Sequence, residues 1–289
     1  MPLASFSAIL RRSERGSALL MATIAAALLA TAAGLLLMDT RSARAAAAEA
    51  YRLDAARFKA QALTSHAIVR ADGDPDRSFR TLIDDVTGRV TLQDVSGLLD
   101  LNAAEPAGIA SLLTALKVAP ERAAELADLI ADWRDADDLV RPGGGEREAY
   151  ARAKVTGPGN RAFVAESELA TVLAMTPALV ACVSPYVTIY AGLAGIDRSA
   201  APPPLGLPSG AALAGAGASS GLAAGRVVVV TAEAPLSPHA VLRRKTWVRF
   251  TGDAQRPYLI HRALEEMAPR APDAPTGDCS EAVAASGGT

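Results

Sequence analysis

The 22 residues from Ser17 to Met38, SALLMATIAAALLATAAGLLLM, carry no charged side chain. As a single α-helix they reach roughly 33 Å, enough to cross a hydrocarbon core of ~30 Å. Arg11, Arg12, Glu14 and Arg15 stand just ahead of them, three positive charges against one negative. The positive-inside bias then leaves residues 1–16 cytoplasmic and sends the rest of the chain outward. Its 289 residues allow one or two domains. Half of them are apolar, but only 4% are aromatic and 64 are Ala, so the apolar share is made of thin side chains. A formal charge of −2 argues against nucleic acid, whose phosphates call for a basic surface. Two Cys exclude a multi-disulfide scaffold, and three scattered His leave little for zinc. An ordinary cytosolic enzyme fits this inventory poorly.

Three readings of the amino terminus stand side by side. A cleaved secretory signal wants an apolar core of 7–15 residues before a small-residue site. Ala43–Ala45 offers such a site, but the apolar run is too long. A plain signal anchor is the second reading. The third follows from the abrupt charge-to-apolar junction at Gly16-Ser17, which resembles the class III leader of type IV pilins and type II secretion pseudopilins. Those leaders are cut on the cytoplasmic side after a Gly, and the apolar helix is kept. Beyond Asp39, Ala47, Tyr51, Ala55, Phe58, Ala62 and Val69 recur mostly at steps of three and four, while Arg52, Asp54, Arg57 and Lys59 take the other face. One helix from Ser17 to about Val69 would be ~80 Å long. It suits either a subunit that leaves the bilayer and packs into a filament or an anchor with a coiled stalk.

Asp72-Gly73-Asp74-Pro75 breaks this helix. The expected organisation is a leader over 1–16, a transmembrane and amphipathic spine over 17–71, and the first part of a small sheet over 72–101. A helical block follows over 102–185, with Pro106–Leu116, Pro120–Trp133, Glu166–Met175 and Thr176–Val183 as four helices and Asn102 as a capping candidate. A return strand over 186–199, a Pro/Gly/Ala-rich linker over 200–225, closing strands over 226–266 and a disordered tail over 267–289 complete the chain. The fold class is α+β, with a helical domain inserted into a small antiparallel sheet.

Asp94-Val95-Ser96-Gly97-Leu98-Leu99-Asp100-Leu101-Asn102-Ala103-Ala104 resembles the entrance motif of the K-type minor pseudopilins of type II secretion, general secretion pathway protein K. Asp132-Trp133-Arg134-Asp135-Ala136-Asp137-Asp138, then Gly144-Gly145-Glu146 and Tyr150, are similar to that family's next motif. Met175-Thr176-Pro177 and Tyr186-Val187-Thr188-Ile189-Tyr190-Ala191-Gly192 follow in the same order. The resemblance runs from about Arg11 to Ile196. It implies a pseudopilin fold and a non-enzymatic subunit that primes or caps the tip of a periplasmic pseudopilus. The partners it implies are the I- and J-type minor pseudopilins, the major pseudopilin, the prepilin peptidase, the inner-membrane secretion platform and secreted substrate proteins, with no nucleic acid. Processing would fall at Gly16 and Ser17, with methylation of the new terminus. The chain would sit in a bacterial inner membrane as a single-pass protein, its carboxy-terminal domain periplasmic.

Three departures stand out: Ser17 replaces a Phe-like first mature residue, Gly145 replaces an Ala, and Pro202-Pro203-Pro204 with a Gly/Ala tract replaces a further helix. Met21 occupies the fifth mature position, where most pilin-like subunits carry a Glu. A tip subunit, with no neighbour above it, loses little by that exchange. Met21, Tyr51, Ala55, Phe58 and Ala62 are therefore the expected assembly surface.

Acidic side chains crowd a helix end and a Gly-rich loop at Asp132, Asp135, Asp137, Asp138, Glu146 and Glu148. Oxygen donors on a flexible loop suit calcium, or they form a solvated acidic terminus. The resemblance implies calcium here, with Asp132, Asp135, Asp137 and Glu146 as ligands. The Asp100–Trp133 block also resembles a helix-hairpin-helix, so a membrane-anchored DNA-binding module of DNA uptake is the alternative class, and a minor pilin of a type IV pilus a third. The hairpin segment Lys117-Val118-Ala119-Pro120 has no glycine to approach a phosphate, which weighs against DNA. Cys182 reads as a buried small hydrophobe. An oxidising periplasm permits a bridge to Cys279, but Cys279 falls in the tail expected to be disordered.

Overall fold

The computed structural model describes residues 7–71, 78–83, 86–203, 205, 224–270 and 277–284. The helix break at Asp72–Pro75, most of the 200–225 linker and the first six leader residues lie outside them. The chain divides into two compact units, Met1–Ala55 and Ala56–Thr289.

Helix α1 runs Ser7–Ala71, so Gly16 and Ser17 lie inside a helix rather than at its start. In the first unit Leu19, Leu28 and Leu36 are all exposed, as a lipid-facing helix requires. This is the one helix among the described residues long and apolar enough to cross a membrane. In the second unit Ala56, Ala60, Leu63, Ala67 and Ile68 are buried while Phe58 and Val69 are exposed. The buried positions recur at helical steps, and three of them are Ala, which brings the backbone close to what lies beneath.

What lies beneath is a five-stranded antiparallel sheet of order β1-β2-β5-β6-β7. Its strands are β1 Ser78–Ile83, β2 Val86–Asp94, β5 Val227–Pro235, β6 Ala240–Asp253 and β7 Arg256–Pro269. Gly88 on β2 lies so close to Leu63 that a Cβ there would stand 2.3 Å from its side chain. The register carries the α1-side face from Val90 and Leu92 on β2 to Ala232 and Val230 on β5, and then to Thr246 and Val248 on β6. All six are buried. The closing strands therefore match the sequence reading in position, but β6 and β7 are longer, at 14 residues each.

The helical block is inserted between β2 and β5. It contains α2 Pro106–Ala115, α3 Pro120–Arg134, α4 Arg147–Ala153 and α5 Pro177–Val183. Its two ends are stitched together: Asp197 N donates to Ser96 O at 2.8 Å and Gln93 Nε2 to Ala200 O at 2.8 Å. An insertion whose ends meet can be carried by a sheet without distorting it.

Several expectations need correction. Helix α4 has only seven residues and was not foreseen, being too short to show a repeat. The expected helix at Glu166–Met175 is a 3₁₀ segment, Glu166–Thr171, with Ala174 in the left-handed region at φ 64°. The return strand is only β4, Val187–Thr188, and it pairs in parallel with β3, Leu99–Asp100, in a separate two-stranded sheet. Gly192, at φ 64°, then turns the chain, its N–H donating to Asp100 Oδ2 at 2.7 Å. Asn102 does not cap α2; its side chain exchanges hydrogen bonds of 2.9 and 2.8 Å with the backbone of Phe163. Thr176 does cap α5, accepting from Leu179 N. The tail is not without structure: Ser280–Ala284 forms helix α6, and Cys279 is bridged to Cys182 and fully buried. A covalent tie leaves no periodic trace in a sequence, which is why the tail read as disordered.

Candidate functional site

The helical block presents its acidic residues at the junction of α3 and the loop that follows. Trp133 anchors that end of α3, stacked on Phe163 with ring centroids 4.1 Å apart. Asp132, next to it, points into the interior and is fully buried. Its Oδ1 accepts from Arg141 Nη1 at 2.5 Å, and its Oδ2 accepts from Gly145 N at 2.9 Å and Arg141 N at 3.2 Å. The same Arg141 Nη1 lies 2.5 Å from Asp135 Oδ2. The two carboxylates, Asp135 first, hold the Arg141 guanidinium above its usual proton affinity. A buried carboxylate needs such a partner, because desolvating an unpaired charge costs several kcal/mol.

Arg141 was not singled out in the sequence, and it changes the site. It stands where a cation was expected between Asp132 and Asp135. Asp128 was missed as well: its Oδ2 accepts from Gly143 N at 3.0 Å and fixes the Gly-rich loop on α3. Asp137 is exposed and accepts from Leu139 N within its own loop, so it turns away from the buried pair. Asp138 is exposed and 4.0 Å from Arg147.

Glu146 opens α4 and is 5% exposed, yet neither of its carboxylate oxygens has a hydrogen-bond partner. Burial, and then the charges of Asp132, Asp135, Asp138 and Asp137, push its pKa up to about 7. Asp135 Oδ1 is also buried without a partner. Among the described residues no three His, Cys, Asp or Glu side chains converge tightly enough to hold a metal as they stand. The oxygens left over are of the kind calcium takes, but Arg141 already serves two of the four expected ligands. The carboxylate oxygens without a hydrogen-bond partner are those of Glu146 and Oδ1 of Asp135, whereas Asp132 is engaged by Arg141 and Gly145 and Asp137 by Leu139 N. Tyr150, fully buried on α4, accepts from Leu173 N at 3.2 Å, and burial pushes its hydroxyl up to about 12.

The expected assembly residues lie on α1. Met21 and Tyr51, in the first unit, are 72% and 76% exposed. Phe58, in the second, is 74% exposed, and Ala55 and Ala62 are half-buried. The hairpin between α2 and α3 carries a single basic residue, Lys117, and buries Leu116 and Val118.

Residues 88–192 match the family model for type II secretion system protein K, first domain. No curated protein matches the chain at a significant level. Among solved structures, the chain is similar to one in the GspK-GspI-GspJ complex of the type 2 secretion system from enterotoxigenic Escherichia coli. The TM-score is 0.50 at 15% identity, over 79% of this chain and 99% of that one. At that identity the likeness speaks for the fold: long helix, small antiparallel sheet and inserted helical domain. The motif-bearing block is thus similar in sequence to type II secretion system protein K, and the architecture is similar to that of a chain of the GspK-GspI-GspJ complex.

Proposed function

We propose that this chain is a non-enzymatic tip subunit of a periplasmic pseudopilus, assembling with I- and J-type minor pseudopilins to prime or cap it. The observation that carries the reading is the helical insertion between β2 and β5, with the family's motif residues at its structural joints. Asp100 is buried, accepts from Asn102 N at 2.8 Å and Gly192 N at 2.7 Å, and so closes the insertion's base. Trp133 and Asp132 set the acidic loop. These residues build a fold rather than a reaction centre, which supports a structural role.

The apolar half of α1 would hold the subunit in the inner membrane with residues 1–16 cytoplasmic. A prepilin peptidase would cut after Gly16 and leave Ser17, methylated, as the new terminus. The exposed Phe58 gives α1 an apolar contact that costs the isolated fold nothing. Glu146, with Asp135, would take a calcium ion, which supplies the counter-charge that neither carboxylate finds in full within the chain.

Co-expression of the full chain with its I- and J-type neighbours, followed by detergent extraction and affinity capture, tests the assembly reading. Wild type should capture both partners. Phe58→Asp should weaken capture by on the order of 10-fold or more, since it places a charge in an apolar helix seam. Failure of wild type to capture either partner would remove the tip reading.

A further inference from the structure

We infer that the Cys182–Cys279 bridge is a redox-set tie that fixes the orientation of the helical insert on the sheet. The inference rests on the tip-subunit reading for the oxidising compartment in which the bridge closes. Cys182 lies on α5 inside the insert, and the chain between it and Cys279 contains β5, β6 and β7. The bridge therefore links the insert to the segment that leaves the far end of the sheet. Both ends of that link are anchored. On the sheet side Arg270 N donates to His239 O at 3.0 Å, just past the end of β7. On the insert side Cys279 is fully buried, its N–H donates to Leu116 O at 2.8 Å, and Ala282 packs on the same core. Only six residues separate Arg270 from Gly277, a reach of at most about 25 Å.

The insert's other attachments are a neck and a clamp. The neck is the pair of chain crossings at Ser96–Asp197 and Gln93–Ala200, packed so closely that a Cβ on Gly97 would stand 2.2 Å from Ala200 O. Two crossings at one point make a pivot: they fix where the insert leaves the sheet, but not the angle it takes. The clamp lies on the sheet face turned away from α1, where Trp247 points, between Thr246 and Val248 in the strand. There the Tyr190 ring centroid stands 5.9 Å from that of Trp247 and 6.2 Å from that of His261. Arg262 lies over Trp247 and 3.7 Å from Glu166. Both partners of that ion pair are partly open to water, where such a pair holds weakly. A pivot and a weak clamp leave the angle to the tie.

Closing the tie converts two thiols to a disulfide. One thiolate attacks the disulfide of a thiol–disulfide exchange protein and the other then displaces it, so that two electrons and two protons leave on the exchanger's dithiol. A reducing cytoplasm keeps the tie open. The insert then takes its final angle only beyond the membrane, where the partners are met.

The full chain in detergent, with spin-labelled non-cysteine amino acids at Glu148 on α4 and Arg256 on β7, reads the angle as a distance distribution. Both positions are exposed. Oxidised wild type should give one narrow distribution, and Cys279→Ser should broaden it by about twofold or more. A second variant separates the tie from the stability of the bridge. It keeps both Cys and inserts about ten Gly and Ser residues between Pro272 and Asp273, a flexible spacer that slackens the link alone. This spacer variant should keep the bridge and the helical signal, and still broaden the distribution by about twofold. A bridge that only anchors the tail in the insert's core would leave the spacer variant as narrow as wild type, and that result overturns the inference. With I- and J-type partners co-expressed, the spacer variant should be captured about threefold less than wild type, because only the fraction at the right angle is competent. Capture equal to wild type overturns the tie's part in assembly. Wild type that captures no partner overturns the tip reading, while the distance distributions still judge the tie.

Discussion

A Cβ added to Gly144 would stand 2.0 Å from Asp132 Oδ2 and 2.7 Å from its Cγ. The loop therefore closes over the buried carboxylate only because residue 144 has no side chain. Gly144→Ala must push Asp132 off the hydrogen bonds from Gly145 N and Arg141, stranding a buried charge as well as overpacking the site. A loss of about 2–4 kcal/mol is expected, from overpacking and a weakened buried pair together. Thermal or denaturant unfolding of the detergent-solubilised chain should show it, with the α-helical signal retained before the transition.

Glu146 carries a pH signature. Its folded carboxyl holds a proton up to about pH 7, whereas an unfolded Glu releases it near 4.5. Between those values the folded state binds more protons, so stability falls as pH rises from about 4.5 to about 7 in the absence of metal. The full effect is at most about 3 kcal/mol. Glu146→Gln should flatten the profile. Millimolar calcium should restore stability at pH 7.5, by about 2.7 kcal/mol at 100 times its dissociation constant, and magnesium should do less. Melting curves at pH 7.5 that coincide in calcium and in chelator would show that Glu146 binds no cation.

The Cys182–Cys279 bridge joins residues 97 apart and pins the carboxy-terminal segment to the helical core. Cys279 N also donates to Leu116 O at 2.8 Å, and Ala282 packs against the same core. Closing so long a loop constrains the unfolded chain, and losing it should cost roughly 2–5 kcal/mol. Cys279→Ser should lower the unfolding midpoint by that amount. It should also expose residues 277–284 to limited proteolysis, while a reductant should reproduce the change in wild type and leave the variant unchanged.

The parts legible in the sequence were those with a local or compositional signature. The uncharged run Ser17–Met38, the Pro-initiated helices at Pro106, Pro120 and Pro177, and the closing strands all declare themselves through period or capping chemistry. The DLNAA and Asp-Trp-Arg-Asp motifs carry the resemblance to protein K by their order and spacing, and they lie inside the block that the family model matches. Long-range relationships stayed hidden. Nothing near Arg141 says that it spans Asp132 and Asp135, because that geometry depends on a loop folding back over α3. Asn102 has the chemistry of a helix cap, but it lies opposite Phe163 and satisfies that backbone instead. The parallel pairing of Leu99–Asp100 with Val187–Thr188 joins segments almost ninety residues apart, and two-residue strands show no alternation.

The tip-subunit reading stands on α1 staying with the mature protein as anchor and spine. Intact mass and amino-terminal analysis of the chain extracted from membranes test this most directly. The mass should be that of a chain beginning at Ser17, with or without one added methyl group, recovered in the membrane fraction. A chain beginning at or after Ala46 and recovered from the periplasm would mean that the apolar helix is a discarded signal. The pilin-like reading would then be wrong.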